Sequence, residues 1–436
     1  MDYYYDVAFA LANRSLCLFT GAGFSKQLTG NKMPGWKELL EQVCSYLNEP
    51  GAALSMLKEC IDKQLPLEDC AHVLELCFLK EKKDFREAIS DKIKSYSLDV
   101  DSAKETVDFL QKHQDITVIS TNYDDLIQRY ILPDRCNSNY PGRPITQRSG
   151  LLNIYHIHGS VEHPPGIIAT TQDYYRFINS PSYFSRTIFT LMAEFTVVFL
   201  GYSVGDPNLK AILNAFAETK TGTLSRGGLF HVTRSRVPQY LRDHLEASYG
   251  LCVIEKTEID AFYGGLEAAL PDAESQVEKA EENLRKVLAG THSYNDRYLK
   301  SSNALIHIIS VANEIGENIE SPPFIRLLAD LLKRKITFTG ESGAWEQYAH
   351  LAEWLVYIAS LFRARGTDLE ATYLEAVKHS MQRMSGSYQL GYSWEAYSIW
   401  KTNWGGIMFD NRRLISDFVQ EQLASYADAM KVICEG

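Results

Sequence analysis

A pair of glycines followed by a hydroxyl group is the first stretch of this chain that could do chemistry. Gly21, Gly23 and Ser25 come directly after the apolar run 16–20. Glycine lets a backbone turn tightly and approach a pyrophosphate closely, and the first turn of a following helix supplies free N–H groups. The pattern favours a turn that cradles the phosphates of a dinucleotide. An ordinary strand-to-helix turn is the alternative, because Lys26 stands where the usual fingerprint has its third glycine.

Three further polar motifs each follow a short apolar run. They are Ser120-Thr-Asn-Tyr-Asp124, His156-Ile-His-Gly159 and Gly201-Tyr-Ser203. Loops at the carboxyl ends of parallel strands are where open α/β sheets bind ligands. Asn122 could orient a water molecule and a ribose hydroxyl without adding charge, and His158 could accept a proton near neutral pH.

Each of these two side chains also has a structural interpretation. Asn122 could satisfy the backbone of its own turn, and His158 could be a structural histidine of an alternating strand. On such a strand His156 and His158 face the same way, so His156 could be the functional member of the pair. We favour His158 because it directly precedes Gly159.

Strand-like and helix-like stretches alternate through the first part of the chain. Strands are predicted at 16–20, 116–120, 153–158, 195–200, 229–233 and 251–254, and helices at 102–113, 182–194, 237–247 and 259–270. Residues 133–150 and 160–181 are predicted as loops, the second covering the site, and residues 51–98 as a helical insertion. This alternation predicts an α/β domain over residues 1–271, with a Rossmann-like, doubly wound parallel sheet.

Residues 272–436 are predicted to form a second domain that is entirely helical. Five of the six tryptophans lie in it, at positions 345, 354, 394, 400 and 404. The cluster of aromatic residues near its end, which also includes Tyr388, Tyr392 and Tyr397, could pack in the domain core. The alternative is a surface for self-assembly or partner docking, where tryptophan is favoured.

Composition narrows the classes of partner. The net charge of −11 and the lack of a lysine- and arginine-rich run argue against nucleic acid as the main partner. The eight cysteines form no Cys-x-x-Cys pair, which favours free thiols in a reducing cytoplasm and predicts no zinc or other metal site. No stretch approaches 18 consecutive apolar residues, so no membrane span is expected.

In their order along the chain, the four motifs resemble those of the sirtuin family over roughly residues 10–260. Sirtuins have a Pro-Asp-Phe-Arg segment over the nicotinamide, where this chain has Met33-Pro-Gly-Trp36. That segment is more similar to the divergent sirtuin-like NAD hydrolases of prokaryotic anti-phage defence. The resemblance implies that NAD is the substrate and that its nicotinamide–ribose bond is cleaved.

The resemblance also implies roles for individual residues. Asn122 and His158 would be catalytic, and Asp124 would bind the nicotinamide carboxamide. The pyrophosphate would lie on the glycine turn formed by Gly21, Ala22, Gly23 and Ser25, and the adenosine side on Gly201 and Ser203. Trp36 would either cap the nicotinamide or only anchor its helix.

NAD hydrolysis is therefore our first interpretation of the function, and two alternatives stay open. A sirtuin-like protein deacylase would share the first chemical step, and a non-catalytic nucleotide sensor would bind without turnover. Typical sirtuins carry a structural zinc module with two Cys-x-x-Cys pairs. The lack of such pairs, the segment Met33–Trp36 and the large helical domain weigh against a deacylase. The presence of both Asn122 and His158 weighs against a sensor.

The resemblance to defence enzymes further implies abortive infection, in which NAD is depleted once a phage is detected. Such an enzyme must be held inactive until a ligand, an assembly step or a partner releases it. A homo-oligomer is expected, and an ATPase or translocase is a candidate partner. The sequence does not identify the trigger.

Overall fold

The computed structural model describes residues 3–146, 150–179, 183–202, 210, 212–214, 228–387 and 389–435. Its contacts divide the chain into two compact units. The described residues up to Ala273 form an α/β unit, and those from Glu274 onwards form a helical unit. The boundary falls inside one long helix, Ile259–Leu288.

Seven strands of the described residues form one sheet in which every neighbouring pair is parallel. Their order across the sheet is β3-β4-β2-β1-β5-β6-β7. This is the doubly wound, Rossmann-like sheet that the alternating sequence predicts. The strands are β1 Leu16–Thr20, β2 Thr117–Ser120, β3 Cys136–Asn139, β4 Leu152–His156, β5 Thr196–Leu200, β6 Leu229–Val232 and β7 Leu251–Ile254.

Both faces of the sheet are buried, which explains the unbroken apolar runs of its central strands. Leu16 and Leu18 of β1 pack into one core cluster, and Cys17 and Phe19 pack into another. A strand buried on both faces needs apolar side chains at successive positions rather than at alternate ones. The sequence of β1 therefore identifies it as a central strand.

The register of the sheet brings the four polar motifs to one edge. Thr20, the last residue of β1, is aligned with Ser120 of β2 and Leu200 of β5. Ser120 is in turn aligned with His156 of β4. The loops that carry the motifs therefore all leave the sheet at its carboxyl edge.

Helices cover the sheet, and no strand interrupts the stretch between β1 and β2. In the α/β unit they are α1 Tyr3–Ala12, α2 Ala22–Leu28, α3 Trp36–Val43, α4 Pro50–Asp62, α5 Leu67–Lys80, α6 Phe85–Lys94, α7 Val100–Lys112, α8 Thr171–Asn179, α9 Tyr183–Glu194, α10 Gln239–Tyr249 and α11 Ile259–Leu288. Short single turns lie at Cys44–Tyr46, Ile127–Ile131 and Pro164–Gly166. Helices α4, α5 and α6 make up the helical insertion.

Three local predictions were wrong. Residues 133–150 contain the edge strand β3, which the loop prediction missed because its sequence, Cys-Asn-Ser-Asn, has no β-branched or aromatic residue. Residues 160–181 contain helix α8. Helix α11 continues through Pro271 because Leu266, Leu270 and Ala273 form one buried stripe across the proline, and this packing outweighs the local helix-breaking tendency.

The helical unit has its own hydrophobic core, distinct from those of the sheet. Its helices are the end of α11 and α12 Asp296–Leu299, α13 Ala304–Glu314, α14 Pro322–Thr339, α15 Trp345–Leu361, α16 Glu370–Gln382, α17 Trp394–Asn403, α18 Phe409–Gln422 and α19 Ala427–Glu435. Trp354, Trp400 and Trp404 are buried in this core. Of the five tryptophans in this unit, only the exposed Trp345 and the half-buried Trp394 lie at the surface. Most tryptophans of the helical unit therefore pack in its core.

Within the described residues, none of the helices is both long enough and apolar enough to cross a membrane.

Candidate functional site

A cleft lies at the carboxyl edge of the sheet, where the loops after β1, β2 and β4 meet. Its free volume is about 130 Å³, below the roughly 300–1,000 Å³ of pockets that enclose a whole ligand. In this conformation the cleft has room for one part of a dinucleotide. It is lined by Ala22, Ser25, Met33, Pro34, Gly35, Trp36, Leu39, Ile93, Thr121, Asn122, Tyr123, Asp124, His158, Tyr174 and Tyr202.

Asn122 is held in one orientation by both hydrogens of its amide. Its Nδ2 donates to the carbonyl oxygen of Gly21 at 2.8 Å and to Oγ of Ser25 at 2.7 Å. The Gly21 carbonyl can only accept, which fixes the amide nitrogen on this side. No described residue donates to Asn122 Oδ1, so this oxygen can accept a hydrogen bond from a ligand or a water molecule.

Ser25 joins Asn122 to Asp124. While accepting from Asn122, its hydroxyl donates to Oδ2 of Asp124 at 2.6 Å. The other oxygen of Asp124 accepts from the N–H of Leu126 at 3.3 Å. In this state the Ser25 hydroxyl orients its two neighbours and is not free for the phosphate contact that the sequence suggests.

Burial raises the pKa of Asp124 above its ordinary value, although the Ser25 hydrogen bond and the nearby His156 act in the opposite direction. Desolvation disfavours the charged form of a carboxyl group. The carboxyl oxygens can accept hydrogen bonds from an amide NH₂ group, which is the chemistry that binding a carboxamide requires.

The two histidines of the third motif lie in different places. Strand β4 ends at His156, and the chain then turns, so the alternation expected over 153–158 stops before His158. His158 lines the cleft, whereas His156 lines a small separate cavity beside Asp124. His156 has Nδ1 3.2 Å from the carbonyl oxygen of Asn122 and Nε2 2.7 Å from Nε2 of Gln128.

His158 is therefore the histidine with access to a ligand in the cleft. Only 6% of its surface is exposed, and its ring meets that of Tyr174 edge-on, with centroids 5.1 Å apart. Burial lowers the pKa of His158 to about 4, while a hydrogen bond with the backbone of Thr121 acts to raise it. The imidazole is neutral at pH 7 and can accept a proton.

The glycines of the first motif serve close packing between two loops. Gly21 N–H donates to the carbonyl of Leu200, and Gly23 N–H to the carbonyl of Gly201, both at 2.9 Å. A Cβ atom on Gly23 would lie 2.8 Å from Cα of Gly201, which itself has a positive φ of 77°. These contacts use N–H groups that the sequence assigns to a pyrophosphate. Of the turn residues, Ala22 and Ser25 line the cleft.

Trp36 begins α3 and lines the cleft. Its ring packs against that of Tyr123 with centroids 5.8 Å apart. Its Nε1 is buried and has no hydrogen-bond partner among the described residues. An indole N–H in this position could donate to a bound molecule. Ser203, the remaining predicted contact, lies outside the described residues.

Sequence reasoning did not single out Tyr174 and Tyr202, which also line the cleft. The hydroxyl of Tyr202 lies 2.7 Å from Oγ1 of Thr121 and donates to the carbonyl of Thr20 at 3.2 Å. Tyr202 stands between two predicted contacts, Gly201 and Ser203, and Tyr174 lies in the segment expected to cover the site. The sequence positions of both tyrosines could therefore have identified them as candidate site residues.

The described part of the chain contains no group of three or more histidine, cysteine, aspartate or glutamate side chains that could hold a metal ion. All eight cysteines are free thiols.

Comparison with known proteins agrees with the motifs. Residues 116–254 match the family model of the SIR2-like domain. Over 103 residues the chain is 31% identical to a protein of Enterococcus faecium described as NAD(+) hydrolase ThsA, and the aligned region covers 22% of each chain. The chain thus spans about a fifth of the length of this relative. The family match, the parallel sheet and the motifs at its carboxyl edge agree in describing a SIR2-like domain within the α/β unit.

Proposed function

We propose that this chain is an NAD hydrolase that cleaves the bond between nicotinamide and ribose. The observation that carries the proposal is the amide of Asn122, whose Oδ1 has no donor among the described residues, in the same cleft as the neutral imidazole of His158. The relative named as an NAD(+) hydrolase supports the choice of substrate. NAD is the substrate in this proposal, and no metal takes part.

The chemistry needs positioning more than covalent help. Nicotinamide leaves as a neutral molecule, because the electron pair of the broken C–N bond neutralises the cationic pyridinium. A water molecule then forms the new bond to the anomeric carbon and loses one proton. The site must hold the oxocarbenium-like sugar and aim this water at it.

The residues of the cleft fit these tasks. Asn122 Oδ1 would accept a hydrogen bond from the attacking water or from a ribose hydroxyl. His158 would take the released proton, directly or through a ribose hydroxyl. Asp124 would bind the carboxamide of nicotinamide, and Trp36 would cover the ring. The products are ADP-ribose, nicotinamide and a proton.

The remaining parts of the proposal concern biology. We place the enzyme in the cytoplasm, in a defence response that depletes NAD during abortive infection. An unrestrained NAD hydrolase would harm its own cell, so we propose that assembly into a homo-oligomer, or a partner such as an ATPase or translocase, gates its activity. The exposed parts of the helical unit are where we place this control.

The experiment is incubation of the purified chain with NAD, with and without the proteins encoded beside it and with and without an acetyl-lysine peptide. We expect nicotinamide and ADP-ribose to form in equal amounts, and we expect this reaction to need no peptide. Nicotinamide release that requires the peptide and yields an acylated ADP-ribose would identify a deacylase. Stoichiometric NAD binding without products under every condition would identify a sensor.

A further inference from the structure

Arg86 of helix α6 connects the helical insertion to the segment that lies against the cleft. Its guanidinium uses each of its three nitrogens on a different acceptor. Nε donates to the carbonyl of Ile167 at 3.0 Å, one terminal nitrogen to Oδ2 of Asp173 at 2.6 Å, and the other to the carboxylate of Glu75 on helix α5. The Arg86 side chain is only 20% exposed, so the ion pairs are shielded from water.

The backbone held by Arg86 is directly bonded to His158. The N–H of Ile168, the residue after Ile167, donates to the carbonyl of His158 at 2.8 Å. The carbonyl of Ile168 accepts from the hydroxyl of Tyr123 at 2.7 Å. Two hydrogen bonds thus lead from the guanidinium to the main chain of the proposed catalytic histidine.

Asp173, the other acceptor, sets the start of helix α8. Its Oδ2 also accepts from the N–H groups of Ala169 at 3.2 Å and Thr170 at 3.1 Å and from the Thr170 hydroxyl at 2.9 Å. Burial opposes ionisation of Asp173, but these hydrogen bonds and the charge of Arg86 hold its pKa below the ordinary value. The next residue is Tyr174, whose ring meets that of His158 edge-on.

We propose that Arg86 is a positioning residue of this site, which fixes His158 and Tyr174 in the cleft through the carbonyl of Ile167 and the carboxylate of Asp173. The expected effect on turnover rests on the proposed function. The positioning of His158 and Tyr174 by Arg86 is independent of it. A guanidinium can donate to three separate acceptors from its rigid fork, whereas a lysine ammonium is a point charge on a flexible stem. Arg86→Lys therefore keeps the charge and loses the geometry.

A simpler possibility is that Arg86 only attaches the insertion to the sheet. Arg129 provides the matched control, because it also attaches the insertion but does not lead to His158. It donates to the carbonyls of Lys94 and Tyr96, both at 3.1 Å, and pairs with Asp125 at 3.2 Å. Its side chain is 29% exposed, similar to that of Arg86.

The first measurement is independent of turnover. In full-length protein labelled with ¹³C-histidine, the ring signal of His158, assigned by its loss in His158→Gln, should titrate with a pKa of about 4. In Arg86→Lys, water should reach the ring, and we expect the midpoint to rise by about one pH unit or more toward the ordinary value of about 6.5. Arg129→Lys should leave it unchanged.

The second measurement is nicotinamide release. We expect kcat of Arg86→Lys to fall roughly 10- to 100-fold, with a smaller change in KM, because a misplaced proton acceptor affects the chemical step. Asp173→Asn retains a capping oxygen and should give the same changes to a smaller extent, which covers the case that Arg86→Lys does not fold. If wild type does not cleave NAD, the proposed function fails and the titration still tests the positioning.

An unchanged His158 titration in folded Arg86→Lys and in folded Asp173→Asn would overturn the inference. So would an equal shift in Arg129→Lys, since the effect would then belong to any loosening of the insertion.

Discussion

Two asparagines, one in each unit, use their side-chain amides differently. Asn411 in the helical unit is fully buried and fully bonded: Nδ2 donates to the carbonyls of Ala359 at 2.8 Å and Phe362 at 2.6 Å, and Oδ1 accepts from Ala364 N–H at 3.0 Å. Asn122 uses only its nitrogen, and its oxygen has no donor among the described residues. A half-buried amide in a cleft, whose oxygen has no donor among the described residues, is a feature expected of a binding group.

Lys335 extends the comparison to a charged group. It is completely buried in the helical unit, where Nζ donates to the carbonyl of Leu299 at 2.9 Å and lies 4.5 Å from the ring centroid of Trp354. Burial lowers its pKa to about 8. Its bonds also end on backbone, so the buried polar groups of this unit support its fold, whereas Asn122, Ser25 and Asp124 of the α/β unit bond to one another beside a cavity.

The sharpest expected contrast is between the two histidines. We expect His158→Ala to lower nicotinamide release by about 100-fold or more, the loss typical of an acid–base group. His156→Ala should lower it less, because His156 does not line the cleft and contacts the site through the Asn122 backbone, Gln128 and the charge of Asp124. Steady-state rates of the two folded variants make the comparison. A larger loss in His156→Ala would transfer the catalytic role to that residue.

Removing the helical unit tests whether it controls the cleft. The cut belongs after Ala273, because Leu270 and Ala273 are buried in the core of the α/β unit. If assembly gates the enzyme, NAD turnover should change by about an order of magnitude in either direction, and light scattering should show a different oligomeric state. A folded, truncated chain with the full-length rate and the same oligomeric state would leave the helical unit with no regulatory role.

The pH dependence of turnover should reflect the burial of His158. Its pKa lies at about 4, so the proton-accepting neutral form predominates from pH 8 down to pH 5. We expect kcat/KM to stay constant over this range. With an exposed histidine as the base, kcat/KM would decrease as the pH is lowered, with a midpoint of about 6.5. A limb with that midpoint in the wild-type profile would show that His158 is solvated in the free enzyme.

Asn411→Ala should change stability and leave chemistry intact. The variant leaves the Phe362 carbonyl and the Ala364 N–H without this partner, each at a cost of about 1–3 kcal/mol, whereas the Ala359 carbonyl still accepts from the N–H of Met408 at 3.1 Å. We therefore expect a loss of about 2 kcal/mol or more in the free energy of unfolding. Denaturant unfolding followed by tryptophan fluorescence would measure it, because Trp354, Trp400 and Trp404 are buried in the same unit. Turnover per folded molecule should equal that of wild type.

Much of the fold could be predicted because local sequence and burial agree there. The apolar runs of β1 and β5 predict strands buried on both faces, and the helical periodicity between them predicts the covering layer. Strand β3 and the continuation of α11 past Pro271 could not be predicted, since both depend on neighbours that are distant in sequence or on packing that overrides local tendency.

For the site, the sequence predicted that a few of its polar residues would lie together but not how they bond. Motif order and strand ends suffice to place Asn122, Asp124 and His158 together. The sequence did not show that the Ser25 hydroxyl links Asn122 to Asp124, or that the glycine N–H groups bond to a neighbouring loop. Such bonds depend on atomic positions to within tenths of an ångström. The contacts of Arg86 span 81 and 87 residues of sequence, and no local pattern encodes them.

Nicotinamide release by Asn122→Ala, with Asn411→Ala as the matched control, tests the central claim most directly. Both variants remove a side-chain amide whose nitrogen donates two hydrogen bonds, but only Asn122 lines the cleft. We predict that Asn122→Ala stays folded and loses at least about 100-fold in turnover, while Asn411→Ala keeps the wild-type rate per folded molecule. Wild-type nicotinamide release by folded Asn122→Ala would contradict the account.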